Sequence, residues 1–64
     1  MCKFHVGDKV IAKQDIFAIQ KRVKAGTQLE ITGLITGGNR ITYIVQDKDG
    51  EKIFGVWDED LEHY

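Results

Sequence analysis

The side chains best suited to metal chemistry lie near the two ends of this 64-residue chain. Cys2 and His5 are separated by two residues, a spacing that zinc ligands use. His63 or Glu62 would complete such a site if the chain ends meet. Terminal residues make poor ligands, however, because little holds them in a fixed geometry. We therefore predict solvated ends, with no metal and no other cofactor.

A second candidate is the acidic segment near residue 50. Asp47, Asp49 and Glu51 follow one another at every second position, as at the start of a calcium-binding loop. The glycine and the distant bidentate glutamate of that loop do not follow in register. We interpret the segment as the solvated tip of a hairpin.

Groups for catalysis are scarce. Serine is absent from the sequence, and Gly37-Gly38 lacks the lysine and the strand-to-helix context of a phosphate-binding loop. Cys2 and His5 could act as nucleophile and base only in a rigid frame, which a chain end does not supply. The sequence thus predicts a protein that is not an enzyme.

Charge is divided along the chain although the net charge is only −1. Residues 1–45 hold seven Lys and Arg against three Asp and Glu, whereas residues 46–64 hold two against seven. The asymmetry indicates either a basic face for an anionic partner or two halves that neutralise each other, and we favour the second reading. The cations of such a basic face would be Lys9, Lys13, Lys21, Arg22, Lys24 and Arg40.

The elements that must position these side chains are predicted to be strands. Four segments alternate apolar and polar residues and are separated by turn residues: KVIAK (9–13), QLEITGLI (28–35), RITYIVQ (40–46) and EKIFGVW (51–57). Gly37-Gly38-Asn39 and DKDG (47–50) predict the hairpin turns between them. In the last of these strands, simple alternation places Ile53, Gly55 and Trp57 on one face and Phe54 and Val56 on the other.

Both faces of several predicted strands are partly apolar, which favours a sheet bent over on itself. In the second strand Leu29, Ile31, Gly33 and Ile35 would share one face. Gly33 and Gly55 would permit the sharp coiling of a small barrel. At the end of the chain Asp58 is predicted to cap a short 3₁₀ turn, with Leu61 pointing inward. The whole chain, residues 1–64, would form one all-β domain.

One long connection, DIFAIQKRVKAGT (15–27), has two interpretations. Ile16, Ile19 and Val23 have helical spacing, and Asp15 could be an N-cap. The alternative, which we favour, is a loop folded over the open side of a barrel. Its apolar residues would then face the core, and its cations Lys21, Arg22 and Lys24 would face the solvent.

Several short motifs resemble those of small SH3-like β-barrel proteins of bacteria and phages, including KOW-like and related groups. The matching residues are Gly7-Asp8-Lys9-Val10 at the start, Gly26-Thr27 before the second strand, and Val56 with Leu61 at the close. The resemblance covers nearly the whole chain. It implies a five-stranded SH3-like barrel with a long first loop and a short 3₁₀ turn before the last strand. It also implies a non-catalytic binding module, whose relatives bind nucleic acid, peptide segments or larger proteins.

The partner we predict is a protein rather than nucleic acid, because the net charge is −1 and aromatic residues are scarce. The long loop is basic and holds one aromatic residue, so it is unlike the acidic, aromatic-rich loops of domains that recognise proline-rich peptides. The residues predicted to contact it are Phe17, Lys21, Arg22 and Lys24 of the long loop, with Trp57 and Asp58 as a second patch. Trp57 has a second reading, in which it closes the end of the barrel. The alternative partner is nucleic acid, held by the basic loop residues.

Three further expectations concern the cellular location, the membrane association and the oligomeric state of the protein. A single cysteine and no signal peptide predict a cytoplasmic location, and the short apolar runs predict no membrane span. Partly buried strand edges predict weak self-association through strand pairing.

Overall fold

A computed structural model describes residues 4–64, and this part of the chain is all-β, as predicted. Its strands are β1 (Lys9–Ala12), β2 (Ile16–Phe17), β3 (Arg22–Val23), β4 (Gln28–Gly37), β5 (Arg40–Gln46), β6 (Lys52–Trp57) and β7 (Leu61–His63). A 3₁₀ turn, Asp58–Asp60, lies between β6 and β7. No α-helix occurs among these described residues, so the helical interpretation of the long connection is wrong.

Five strands form one antiparallel sheet in the order β6-β5-β4-β1-β7, and β2 and β3 form a separate two-stranded ribbon. In a flat sheet, β6 and β7 would lie about 19 Å apart, four strand spacings of about 4.8 Å. The chain from Trp57 to Leu61 spans at most about 14 Å. The sheet must therefore curl strongly, although its hydrogen-bonded order still ends at β6 and β7.

The concave side of the curled sheet holds the core. Phe4 packs edge-on against Tyr43, with ring centroids 5.4 Å apart, and donates its N–H to Tyr43 Oη at 3.3 Å. Val10 and Ala12 share the inner face of β1, as alternation predicts. The buried apolar residues are Phe4, Val10, Ala12, Ile16, Val23, Leu29, Ile31, Tyr43, Val45, Ile53, Val56 and Leu61.

A β-bulge in β6 overturns the predicted faces of that strand. Tyr43 pairs with Val56 and Val45 pairs with Ile53, so β6 has one extra residue over this interval. Gly55 accommodates the bulge with a positive φ of 75°. Consequently Ile53 and Val56 are buried, while Phe54 and Trp57 are exposed. The prediction that Trp57 shares the face of Ile53 is wrong.

A second bulge, between Ile31 and Gly33, changes the face of the outer half of β4. Leu29 and Ile31 are buried, but Ile35 is paired with Thr42 and lies on the convex face. The predicted single face for Leu29, Ile31 and Ile35 is therefore wrong beyond the bulge. At Gly33 an added Cβ would lie 3.1 Å from Ile44 Cδ1, so a larger residue there would crowd Ile44.

The turns agree with their sequence signals. Gly38 and Asn39 form the two-residue connection of the β4–β5 hairpin, with Gly38 at a φ of 57°. Residues 47–51 connect β5 to β6, where Gly50 also has a positive φ. The 3₁₀ turn and the buried Leu61 are confirmed. Asp58, however, is the first residue of the turn rather than its cap, because Trp57 occupies the cap position without a side-chain hydrogen bond.

Candidate binding surfaces

The long connection forms a ribbon with one buried and one exposed face. Ile16 pairs with Val23 and Phe17 pairs with Arg22, so each pair points to one side. Ile16 and Val23 are buried in the core, whereas Phe17 and Arg22 point away from it. The predicted loop over the open side of the sheet is confirmed in this respect. The expectation that all its apolar residues face inward is wrong, because Phe17 and Ile19 are exposed.

Lys21 anchors the ribbon to the β5–β6 turn. Its Nζ lies 2.8 Å from Asp47 Oδ2 and 3.2 Å from Glu51 Oε1. Asp47 Oδ1 accepts the backbone N–H groups of Asp49 and Glu51, each at 3.0 Å. The hydrogen bond from Lys21 holds the pKa of the Asp47 carboxyl below its usual range, and Asp47 in turn raises the pKa of Lys21.

This anchoring corrects two predictions about charged residues. Lys21 is half-buried and paired with acids, rather than a cation free to contact a partner. Asp47 is not a solvated acidic residue at a hairpin tip, since its side chain is only 9% exposed and both of its oxygens accept hydrogen bonds. The rest of the segment does form an exposed turn, as predicted.

The base of the ribbon is held as well. Asp15 Oδ1 accepts the Ala25 N–H at 2.9 Å, which joins the two ends of the long connection. The Lys13 N–H donates to the carbonyl of Asp60 at 2.8 Å, and Gln14 Nε2 lies 2.5 Å from Asp60 Oδ1. The ribbon is therefore attached to the 3₁₀ turn at its base and to the β5–β6 turn through Lys21.

The outward side of the ribbon combines apolar and cationic groups. Phe17 is 72% exposed, and the Arg22 guanidinium carbon lies 5.1 Å from the centre of its ring. Ile19 is fully exposed, and Lys24 is exposed just after β3. Within residues 4–64 neither Arg22 nor Lys24 has an acidic partner. We call Phe17, Ile19, Arg22 and Lys24 the ribbon surface.

A second exposed surface lies on the convex face of β4, β5 and β6. Thr42 pairs with Ile35 on one side and with Trp57 on the other, which gives a row across three strands. Ile35 is 43% exposed, Phe54 48% and Trp57 37%. The alternative prediction that Trp57 closes the end of the barrel is wrong, because a side chain that closes the end would be less exposed than Trp57 is.

Charges of both signs flank this second surface. The Arg40 guanidinium carbon lies 4.1 Å from the Trp57 ring centre, and Arg40 Nη2 lies 3.5 Å from Glu59 Oε1. Asp58 is half-buried at the start of the 3₁₀ turn, where its carbonyl accepts the Leu61 N–H. We call Ile35, Thr42, Phe54 and Trp57, with Arg40 and Glu59 at the rim, the sheet-face patch.

The cations do not form one continuous basic face. Lys9 pairs with Glu30 at 2.8 Å, and Lys21 and Arg40 pair with acids from the second half of the chain. The favoured reading, in which the two halves neutralise each other, is thus confirmed for Lys21 and Arg40. Among the residues that the structure describes, Lys13, Arg22 and Lys24 have no ion pair.

The residues considered for a metal give a hydrogen-bonded cluster around Asp8. Asp8 Oδ2 accepts the His5 N–H at 2.9 Å and lies 3.4 Å from His63 Nε2. The His5 N–H is the main cause of the lowered pKa of Asp8. Cys2 lies outside the described residues. From Phe4 to Tyr64 no group of three or more His, Cys, Asp or Glu side chains could hold a metal ion.

A surface cleft with a volume of ≈ 370 Å³ lies beside the Lys21 anchor. Its lining is entirely polar: Lys21, Thr27, Gln28, Asp47, Lys48 and Asp49. Small-molecule sites are lined mainly by apolar and aromatic side chains, so this cleft does not have the character of one.

Of the six residues predicted to bind a partner, the structure brings together only some. Phe17 and Arg22 are in contact, and Lys24 follows on the same connection, but Lys21 is turned toward Asp47. Trp57 lies on the separate sheet-face patch. Sequence reasoning missed Ile19, Ile35 and Phe54 as exposed residues. The glycine inside a strand pattern was a usable signal for Phe54, since it often marks a bulge.

Comparison with known proteins adds no name to these surfaces. No family model matches the chain, and neither a curated protein nor a solved structure matches it. Within residues 4–64 there is also no helix long and apolar enough to cross a membrane.

Proposed function

We propose that this chain is a small, non-catalytic protein-binding module built on a five-stranded SH3-like barrel. Support for the barrel comes from the strand order, in which the first strand lies between the second strand of the sheet and the last one. The long first connection and the 3₁₀ turn before β7 also agree with that fold. The single cysteine favours a location in the reducing cytoplasm.

The partner-binding site in this proposal is the ribbon surface, and the partner is a protein segment that carries acidic and large apolar side chains. The observation that carries the proposal is the exposed Phe17 ring beneath the Arg22 guanidinium, on the outward face of an anchored ribbon. Aromatic and arginine side chains are the commonest energetic centres of protein interfaces. Lys24 adds positive charge to the same side of the ribbon.

The anchoring contacts make this surface suitable for binding. Ordering a flexible loop on association costs free energy, which reduces affinity. Here Ile16 and Val23 fix the ribbon from below, and Lys21 fixes it to Asp47 and Glu51. A partner would therefore bind a surface that is already ordered before association.

The proposal is tested by selecting binders from a library of random twelve-residue peptides on the immobilised protein. We expect selected peptides to be rich in Asp and Glu interspersed with Leu, Phe or Trp. Phe17→Ala should weaken their binding at least about tenfold, which corresponds to about 1.4 kcal/mol. Arg22→Glu with Lys24→Glu should also weaken it, whereas Lys48→Glu with Lys52→Glu, an equal charge change on two exposed lysines elsewhere, should not.

Lys21 is left out of the charge reversals because Lys21→Glu would release the ribbon from Asp47 and confound the result. Peptides without an acidic bias, or peptides whose binding survives Phe17→Ala, would overturn the proposal. A parallel titration with mixed oligonucleotides at low salt tests the other class of partner. If the amide signals of residues 17–24 shift and the affinity falls steeply as salt rises, the partner is nucleic acid rather than a protein.

A further inference from the structure

We infer that the sheet-face patch is a self-association surface, on which the patch of a second copy of this chain docks face to face across a two-fold axis. This site is distinct from the ribbon surface, because none of Phe17, Ile19, Arg22 and Lys24 belongs to it. The argument rests on the patch's apolar centre, its charges and its shape.

The centre of the patch is apolar, and residues 4–64 leave it partly exposed. Ile35, Thr42 and Trp57 lie side by side in register across β4, β5 and β6. Phe54 extends the apolar area along β6, because the bulge at Gly55 places Trp57 on the same exposed side as Phe54. An antiparallel sheet can present a polar face to water, yet this face presents three large apolar side chains.

The rim of the patch carries both signs of charge close together. Arg40 stacks on Trp57 and lies 3.5 Å from Glu59, and Asp58 starts the adjacent turn. A two-fold interface places the same patch on both sides, so each cation must find an anion on an identical surface. A rim that holds both Arg40 and Glu59 meets this requirement, whereas a rim of one sign would repel its copy.

The patch also has bare backbone beside its protruding side chains. Gly37 pairs with Arg40 on the same face, and a Cβ built there would meet no atom within 4 Å. Gly55 lies next to Phe54, and its Cβ position is equally open. Side chains that project next to bare backbone allow one copy to fit the other, which is the second condition for an isologous contact.

Long-range electrostatics do not oppose this contact, because the net charge of −1 gives little repulsion between copies. Association through strand pairing, the route predicted from sequence, is disfavoured at the free edge of β6 by the bulge at Gly55 and at the free edge of β7 by its length of three residues. A bulge bends an edge strand and interrupts the row of groups that a second strand would pair with. The face, rather than the edge, is therefore the surface that fits a second copy.

The proposal is tested by sedimentation equilibrium of the full chain from 10 µM to 1 mM. We expect concentration-dependent dimerisation that Ile35→Lys and Phe54→Lys each weaken at least about tenfold. Val6→Lys is the matched control, since Val6 is exposed and lies outside the patch, and it should leave the dimer unchanged. A wild-type chain that stays monomeric at 1 mM would overturn the proposal, as would a dimer unaffected by both patch substitutions.

Charge variants keep the test informative if either lysine substitution prevents folding. Arg40→Glu makes the rim acidic, and Glu59→Arg makes it basic, while both sites are exposed enough to accept the change. Each variant alone should dimerise more weakly than the wild type, and an equimolar mixture should form a heterodimer more tightly than either variant forms a homodimer. Equal association in the mixture and in the separate variants would contradict a face-to-face contact at this rim.

Discussion

The ribbon surface and the sheet-face patch share one local arrangement, in which an arginine side chain lies over an aromatic ring. On the ribbon, Arg22 lies over Phe17 at 5.1 Å, and on the sheet Arg40 lies over Trp57 at 4.1 Å. The difference lies in what each arginine meets next. Arg40 has Glu59 beside it, whereas Arg22 has no acidic partner in the described part of the chain.

This difference is the reason why we propose different partners for the two surfaces. A surface with apolar groups and charges of one sign fits a partner of the opposite sign, and a surface with both signs at its rim can fit itself. An arginine stacked on an aromatic ring therefore does not by itself indicate the partner of a surface. The charged residues next to the arginine determine which partner we propose.

The two regions also differ in how they are held. The sheet face rests on β4, β5 and β6, which pair over many residues, while β2 and β3 contribute two residues each. The ribbon depends more on side-chain anchors such as Lys21 with Asp47. We expect it to open locally before the sheet unfolds.

The largest expected effect tests which face of β6 is buried. Ile53→Ala should reduce the free energy of unfolding by about 2–5 kcal/mol, because it removes a fully buried side chain and leaves a cavity. Phe54→Ala, at the half-exposed neighbouring position, should cost about 1 kcal/mol. Equal or reversed losses in urea denaturation of the two variants would contradict the burial of Ile53 and the exposure of Phe54.

A smaller effect tests the bulge that creates the sheet-face patch. Gly55→Ala should destabilise the fold by about 1–2 kcal/mol, since Gly55 has a φ of 75° that residues with a Cβ rarely adopt. Gly37→Ala is the matched control, because Gly37 does not have a positive φ and its Cβ position is open. Similar melting temperatures for the two variants would be inconsistent with this account of β6.

A local effect tests the ribbon anchor. Asp47→Asn should speed amide exchange in residues 16–23 more than in β4 and β5, because it removes the charge that holds Lys21 and weakens the turn. Asp49→Asn, two residues away and without such contacts, provides the control. Uniform acceleration across the chain would show that Asp47 supports the whole fold rather than the ribbon.

The same anchor predicts a pH window. The lowered pKa of Asp47 contributes stability above its unfolded value of about 3.9, and this contribution is lost as pH falls through the folded value below it. The raised pKa of Lys21 contributes below about 10.4 and is lost as pH rises through its higher folded value. Relative to the intrinsic exchange rate at each pH, ribbon amide exchange should thus accelerate below about pH 4 and above about pH 10.

In Asp47→Asn the acid-side acceleration should be reduced, because the group that titrates has been removed. If the ribbon of this variant and that of the wild type respond equally to acid, another carboxyl must be responsible.

The smallest expected effect concerns the two arginines. Arg22→Ala and Arg40→Ala should each change the free energy of unfolding by about 1 kcal/mol or less, which is typical of exposed cation–π contacts and surface ion pairs. Their effects on binding should separate, with Arg22→Ala weakening the selected peptides and Arg40→Ala weakening the dimer. Loss of both activities in one variant would indicate that the two surfaces are a single site.

The sequence by itself was sufficient for the four longer strands, their turns and much of the core, although it did not predict β2 and β3 as strands. Alternation predicts the inner faces of β1, with Val10 and Ala12, and of β5, with Tyr43 and Val45, because side chains of an extended strand point to opposite sides at every step. Gly38 and Gly50 marked their turns because glycine adopts positive φ at little cost. These are local properties, so a single sequence contains them.

The candidate site was predicted less completely than the fold. Phe17, Arg22 and Lys24 were identified as loop residues beside apolar neighbours, and the structure leaves them exposed. Lys21 belongs to the same run of cations, but its ammonium group pairs with Asp47 and Glu51, which lie 26 and 30 positions further along the chain. Nothing in the local pattern distinguishes Lys21 from Lys24.

Tertiary structure alone decided which aromatic and charged groups meet. The bulges in β4 and β6 arise from how neighbouring strands pair, and they place Ile35 and Trp57 on the convex face with Phe54. Arg40 reaches Trp57 and Glu59 only because the sheet brings β5 beside the end of β6 and its turn. Pairing partners lie far apart in sequence, and their register depends on the whole sheet, so local periodicity could not place these side chains.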